Sequence, residues 1–299
     1  MPDSKLIKEG RTVAAVGTFD GVHLGHKEVT GKMLEIAVAK GLQPLAITFD
    51  RHPLAVVDPS RAPKMISSLV DKKDLLEGLG IKTVILEFDE DLRKTTAAEW
   101  LLRLRDEFAV SCLVAGYDNT FGCDGIGMSL HDIMHLGEQT GIEVKEAPVL
   151  NGVSSSAIRK HIHAGEIEDA NRMLGRIFSI KGKVIDGEKI GSSIDFPTAN
   201  IAINEDVIVP DVGVYAGHVT LPDGVKKTAM INIGVAPTVK SLPVPLVEAH
   251  LIGWEGNIYN ETVEVDFVKK IRQEIKFNNV AELRERLELD RKEVMEVLG

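Results

Sequence analysis

Residues 14–30 read AAVGTFDGVHLGHKEVT. The apolar run around its start, Thr12–Phe19, has the composition of a buried strand. From His26 to Lys40, residues Val29, Met33, Ile36 and Ala37 recur at three- and four-residue spacing, which predicts a helix capped by Gly41. The glycines and the two histidines therefore occupy a strand-to-helix turn. Further apolar runs at Pro44–Asp50, Lys82–Phe88 and Val110–Asp118 read as strands, and Leu69–Leu79, Ala97–Phe108 and Leu130–Thr140 as helices. Strands separated by helices imply parallel βαβ units in one α/β sheet, with sites at the carboxyl ends of its strands.

After about Leu174 the helical period stops. Strand-like runs follow closely, with Asp223-Gly224 as a hairpin signal between two of them and Glu255–Asn257 splitting a second such pair. This part predicts a small antiparallel barrel or sandwich, closed by an amphipathic helix from Val280 to Leu298 that packs on it through Leu283, Leu287 and Val294. The boundary is expected near Arg176–Ser179, giving domains 1–177 and 178–299. A length of 299 residues agrees with two domains.

Composition narrows the function classes. A net charge of −10 argues against a general nucleic-acid or anionic-membrane binder. No apolar run approaches the roughly 18 residues of a membrane span, and MPDSKLIKEG carries no apolar signal core. Cys112 and Cys123 form neither a metal spacing nor a disulfide framework, so a cytoplasmic protein is expected. It is taken as a monomer or weak homo-oligomer. His131 and His135 lack a third ligand and read as a solvated helix face; His161 and His163 read as surface, and Cys112 as strand core.

The turn after the first strand has its own chemistry. A helix N-terminus presents free N–H groups and the positive end of a dipole, and Gly21 and Gly25 admit close backbone approach. His23 and His26, three apart, share one side of the first helical turn. Such a pair can hold phosphate, cap the helix, or bind zinc if a third ligand beyond Asp20 exists. Ser155, Ser156 and Arg159, taken alone, read as an ordinary N-cap with a solvated arginine, or as hydroxyl and backbone donors with a guanidinium one turn on that reaches a phosphate. In the β-rich part, Thr198 and Asn200 in SSIDFPTANI point to one side of an extended stretch and suit a hard cation such as Mg²⁺. Alternation in PLVEAHLIGW puts Glu248 on the face opposite Val247 and Leu251, where it reads as a solvated carboxylate or, inside a small barrel opposite Thr198 and Asn200, as a proton acceptor.

GTFDGVHLGH resembles the HxGH signature of nucleotidylyltransferases, in the form found in bacterial bifunctional riboflavin kinase/FMN adenylyltransferases. TFDRHP (Thr48–Pro53, with Arg51 where proline is usual) and VSSSAIRKHIHAGEIEDANRMLGR (Val153–Arg176) resemble further segments of that family. DFPTANI, NIGVAPT (Asn232–Thr238) and VEAHLIGWEGNIYNETVEVDFVKKIRQEIKF resemble its riboflavin kinase domain. The resemblance implies a Rossmann-like nucleotidylyltransferase domain followed by a kinase β-barrel. It implies two ATP-dependent reactions: riboflavin to FMN, and FMN to FAD with release of pyrophosphate.

By the same resemblance, His23, His26 and Arg159 serve adenylyl transfer, and Gly17, Phe19, Asp20, Gly21, Gly25, Asp118, Ser155 and Ser156 bind its substrates. Glu248 is the base on the riboflavin hydroxyl, and Thr198 and Asn200 hold Mg-ATP. Gly182 and Lys183 cover phosphate, and Arg272 and Glu274 lie near the flavin. Ser192 stands where arginine is common, and Lys240–Pro245 shortens a loop. DNTFGCDGIG (Asp118–Gly127) departs from the family, with Asn119 for an aromatic residue and Asp124 where positive charge is common. Two further readings follow: a kinase with a weak or inactive adenylyltransferase half, and a non-catalytic flavin- or nucleotide-binding regulator.

Overall fold

The computed structural model describes residues 11–116, 121–125, 127–186, 196–236 and 244–299, without the side chains of 235, 236, 244 and 245. The chain divides into two units, Met1–Ser154 and Ser155–Gly299. Residues 155–177 thus group with the second unit.

In the first unit, strands β1 (Thr12–Val16), β2 (Gln43–Phe49), β3 (Lys82–Leu86), β4 (Val110–Ala115) and β5 (Glu143–Glu146) form a parallel sheet in the order β3-β2-β1-β4-β5. Every residue of β1 is buried because both faces of the sheet are covered. Ala14 and Val16 face a core with Trp100, Leu101 and Leu104 of α5 (Ala97–Phe108), while Val13 and Ala15 face Met33 and Ala37 of α1 (Leu24–Lys40) and Leu76 of α3 (Leu69–Glu77). The order reverses at β1: the chain runs out to β3 on one side, then returns to β4 on the other. The turn after β1 therefore lies at the switch point, at the carboxyl edge where α/β sheets bind ligands.

The predicted strands ran past the observed ends, since β1 stops at Val16 and β4 at Ala115, where the chain turns out of the sheet. Periodicity did not reveal β5, whose sequence EVKE carries one apolar residue, or the short helices α2 (Leu54–Val57) and α4 (Glu90–Lys94). The helix α6 (Leu130–Thr140) has its predicted bounds and leaves His131 and His135 exposed.

In the second unit, α7 (Ser155–Ala164) and α8 (Ile167–Leu174) precede six antiparallel strands: β6 (Phe178–Ile185), β7 (Ala199–Ile203), β8 (Gly213–Thr220), β9 (Lys226–Ala236), β10 (Val244–Leu251) and β11 (Thr262–Arg272). They close into a barrel in the order β10-β7-β6-β11-β8-β9. The barrel interior is apolar: Val184 pairs with Ile201, Ile201 with Val247, and Val247 with Ile233, all buried. The terminal helix α9 (Val280–Leu298) packs on the outer face through Val294, against Phe196, Val214, Ala216 and Met230, as its apolar stripe predicts.

Two expectations are corrected here. Asp223-Gly224 does join the hairpin β8–β9, but Glu255–Asn257 does not join a hairpin. Both edges of β10 are taken by β7 and β9, and β11 pairs with β6 and β8, so the connection 252–261 passes between non-neighbours. Glu248 is also not inside the barrel. The interior is filled by its neighbours Val247 and Ala249, and alternation turns Glu248 to the outer face, where it is half-buried.

Candidate active sites of the two units

The turn after β1 is tightly built. His23 is the N-cap of α1, which starts at Leu24, two residues earlier than predicted, and its Nδ1 accepts the His26 N–H at 3.3 Å. The two imidazoles stack with centroids 3.6 Å apart, and the Phe19 ring meets His26 edge-on at 5.3 Å. His23 is thus both cap and half of a pair, and His26 sits in the first turn beside the free N–H groups. Gly25 is closely packed: a Cβ there would lie 3.2 Å from the His23 ring, which would have to give by a few tenths of an ångström, and 3.5 Å from the Val153 carbonyl. Gly17 donates its N–H to Ile47 O at the end of β2.

The turn is also strained. Phe19 (φ 45°) and Val22 (φ 39°) take the left-handed conformation, which costs of order 1–3 kcal/mol each in a non-glycine residue. Residues 66–72 hold it in place. Asp20, fully buried, accepts the N–H groups of Ile66 (2.8 Å) and Ser67 (3.3 Å), and Gly21 N–H donates to Ser67 Oγ at 3.1 Å. Asp20 is therefore spent on the turn's own architecture. This also answers the zinc reading. Among the described residues the group with metal-like spacing is His161, Glu166 and Asp169, on α7 and α8.

Asp118 lies outside the described residues. Nearby, Phe121 is buried, and Asp124 accepts the Ala97 N–H at the start of α5 at 2.7 Å. The negative charge that departs from the family pattern is therefore used to cap a helix. Ser155 and Ser156 open α7, with Arg159 one turn on, all three in the second unit.

On the barrel, strand register assembles a polar row that sequence alone could not show. Glu248 pairs directly with Asn200 on β7 and with Asn232 on β9, so three polar side chains stand side by side on the outer face. Asn232 Nδ2 donates to Glu248 Oε2 at 3.4 Å. Glu274 Oε1 lies 3.9 Å from where a Cβ on Gly234 would sit, and Asn232 Nδ2 3.7 Å from the same point, so Gly234 borders both polar groups. The NIGVAPT motif alone gives Asn232 no role; its register places it directly opposite Glu248.

Thr198 and Asn200 line a cavity of about 500 Å³ together with Pro197, Asp186 and the connection Trp254–Tyr259. The Asn260 N–H donates to Val184 O at 3.0 Å, tying that connection to the end of β6. The remaining expected residues divide. Lys183 is exposed on the outer side of β6, whereas Gly182 faces inward, where a Cβ would come within 2.5 Å of Ile201. Arg272 is committed: its Nε and Nη2 grip the carboxylate of Asp290 on α9 at 2.7–3.0 Å, and Nη1 donates to Gln273 O. Asp290 is fully buried and also lies 2.8 Å from Arg286 Nε. Ser192 and Lys240–Pro243 lie outside the described residues.

The first unit thus carries a helix-start imidazole pair at the switch point of a parallel sheet, and the second a carboxylate–amide row beside a cavity on a six-stranded barrel. The FAD synthetase family model matches residues 6–159 and the riboflavin kinase model residues 174–298. Bifunctional riboflavin kinase/FMN adenylyltransferases are similar over nearly the whole chain. That of Bacillus subtilis is 36% identical over 97% of this chain and 94% of its own. That of Escherichia coli is 30% identical over 99% and 95%. A solved structure described as a macrolide-efflux protein from Streptococcus pneumoniae matches with a TM-score of 0.88 and 27% identity, over 98% of this chain and 96% of the other. The chain belongs to the bifunctional riboflavin kinase/FMN adenylyltransferase family. Its activities are those of a transferase in FAD biosynthesis, and no described helix is long and apolar enough to cross a membrane.

Proposed function

We propose that the two sites divide the work as follows. On the barrel, the riboflavin 5′-hydroxyl attacks the γ-phosphorus of ATP, ADP leaves, and Glu248 takes the hydroxyl proton. The register Asn200–Glu248–Asn232 carries this reading, because it fixes the carboxylate between two amides beside the cavity. Thr198 and Asn200 offer hard oxygen donors facing that cavity, a set that fits Mg²⁺. The ion would supply charge neutralisation on the ATP phosphates. Lys183 and Glu274 contribute to substrate binding, and Gly182 supports the strand that carries Lys183. Arg272, held by Asp290, shapes the segment that receives the flavin and leaves direct contacts to its neighbours.

At the β1–α1 turn, a phosphate oxygen of FMN attacks the α-phosphorus of ATP and the bond to the β-phosphate breaks, releasing pyrophosphate. His23, His26 and the N–H groups of the first turn of α1 hold the phosphoryl charge; positioning and charge stabilisation supply nearly all the rate, as in phosphoryl transfer generally. Gly17, Phe19, Gly21 and Gly25 shape the backbone around the nucleotide, and Asp118, Ser155, Ser156 and Arg159 serve the same reaction. Asp20 shapes the turn from beneath. Domains 1–177 and 178–299 carry the two activities, in keeping with family matches over 6–159 and 174–298. Two free thiols and a net charge of −10 support a cytoplasmic enzyme, monomeric or weakly associating, with no nucleic-acid partner. Incubation with riboflavin and Mg-ATP tests the reading: FMN and then FAD are expected. FMN without FAD leaves only a kinase, and no phosphorylated flavin leaves a binding protein.

A further inference from the structure

The β1–α1 turn, with Phe19 and Val22 both left-handed, needs a tie that keeps it in one geometry. Lys72 lies on the inner face of α3, only 1% exposed, one turn before the buried Leu76. Its Nζ donates to the carbonyl of Thr18 at 3.1 Å and to that of Phe49 at 2.8 Å. Thr18 is the residue before Phe19, the first left-handed residue of the turn, and Phe49 ends β2. A single ammonium thus joins the turn after β1 to the end of its neighbour β2. Thr48 Oγ donates to the same Thr18 carbonyl at 3.1 Å. With the Asp20 and Ser67 bonds, this makes residues 66–72 a clasp around the turn.

A buried lysine is a costly choice for a purely structural tie. Burial pushes its ammonium down to about 8, and the charges of Asp20 and Asp50 oppose the shift. A neutral side chain could fill the space, yet only a multi-donor head reaches both carbonyls.

We infer that Lys72 is a positioning residue for adenylyl transfer, pinning the Thr18 and Phe49 carbonyls so that His23, His26 and the α1 N-terminus keep their geometry. This rests on the proposed role of the turn. Misplacement by about 1 Å can cost about 10²-fold in rate. In the full chain, Lys72→Met is expected to lower kcat for FAD formation from FMN and Mg-ATP about 10–100-fold, with KM values moving far less. FMN formation from riboflavin by the same preparation should stay at the wild-type rate. Hydrogen exchange at the Gly21 and Val22 amides should quicken. Lys72→Arg, which keeps charge and several donors, should recover part of kcat. If Lys72→Met unfolds the first unit, Thr48→Val carries the test, since it removes a bond to the same carbonyl without touching the lysine; a kcat loss of about 3–10-fold is expected, in line with one neutral hydrogen bond. Wild-type FAD formation in Lys72→Met, or loss appearing only in KM, would overturn the inference. A wild-type chain that makes no FAD would instead overturn the proposed function of the turn.

Discussion

Replacing Asp290 by alanine should loosen the barrel unit, and the size of the effect can be worked out. The carboxylate is fully buried and is gripped by Arg272, itself 12% exposed, and Arg286, 28% exposed. Removing one partner of a buried ion pair costs about 3–5 kcal/mol, because the remaining charge is stranded. Arg286 can turn toward water, but Arg272 is held between β11 and α9 and keeps most of the penalty. The unit Ser155–Gly299 has roughly 145 residues; at about 2.1 cal/mol/K each, its unfolding entropy is about 0.3 kcal/mol/K. The expected drop in its midpoint is therefore about 10–16 °C, read by calorimetry of the full chain with riboflavin kinase activity followed in parallel. Asp290→Asn keeps one acceptor oxygen and should shift less, in the same direction. A drop below about 3 °C for the alanine variant would show that both guanidinium groups find water and that the network does not hold α9 to β11.

Asn232→Ala should slow FMN formation about 10-fold while leaving FAD formation from supplied FMN unchanged, by freeing the Glu248 carboxylate from its neighbour; steady-state kinetics of both reactions check this. Lys72 makes a pH prediction. Its ammonium is held near 8 in the folded chain against about 10.4 unfolded, so the unfolded state binds more protons between those values. Stability of the first unit should accordingly rise as pH goes from 8 to about 10.4, and Lys72→Met should lose that increment, measured as urea midpoints across the range. Burial likewise lowers the His250 value, partly offset by its bond to Pro197 O, so acidification below about 6.5 should destabilise the barrel, and His250→Gln should weaken that dependence.

Much of this was legible in the sequence because periodicity and turn chemistry are local. The α5 and α6 helices matched their predicted bounds, and the HxGH segment fell in the turn where its glycines placed it. What was missed is non-local. The partners of Glu248 depend on β7, β10 and β9 lying side by side, and a barrel order of β10-β7-β6-β11-β8-β9 cannot be read from hairpin signals. The connection 252–261 looked like a hairpin for the same reason, yet it lines the cavity. Lys72 and Asp290 did leave a trace: each stands on the apolar stripe of its helix, four residues before Leu76 and Val294. A charge at such a position signals a buried partner, but not which one. Asp124 shows the reverse case, where a departure from a family pattern is explained by the helix start it caps.

In the proposed division of work, two independent sites sit on one chain, an imidazole pair for adenylyl transfer and a strand carboxylate for phosphorylation. Flavin products resolved by chromatography, for Glu248→Gln and His26→Ala supplied separately with riboflavin and with FMN, test it most directly. Glu248→Gln should lose FMN formation by about 10²–10⁴-fold and still convert FMN to FAD at the wild-type rate, while His26→Ala should lose FAD formation by about 10²–10³-fold and still make FMN. Parallel loss of both reactions in either soluble, folded variant would contradict it.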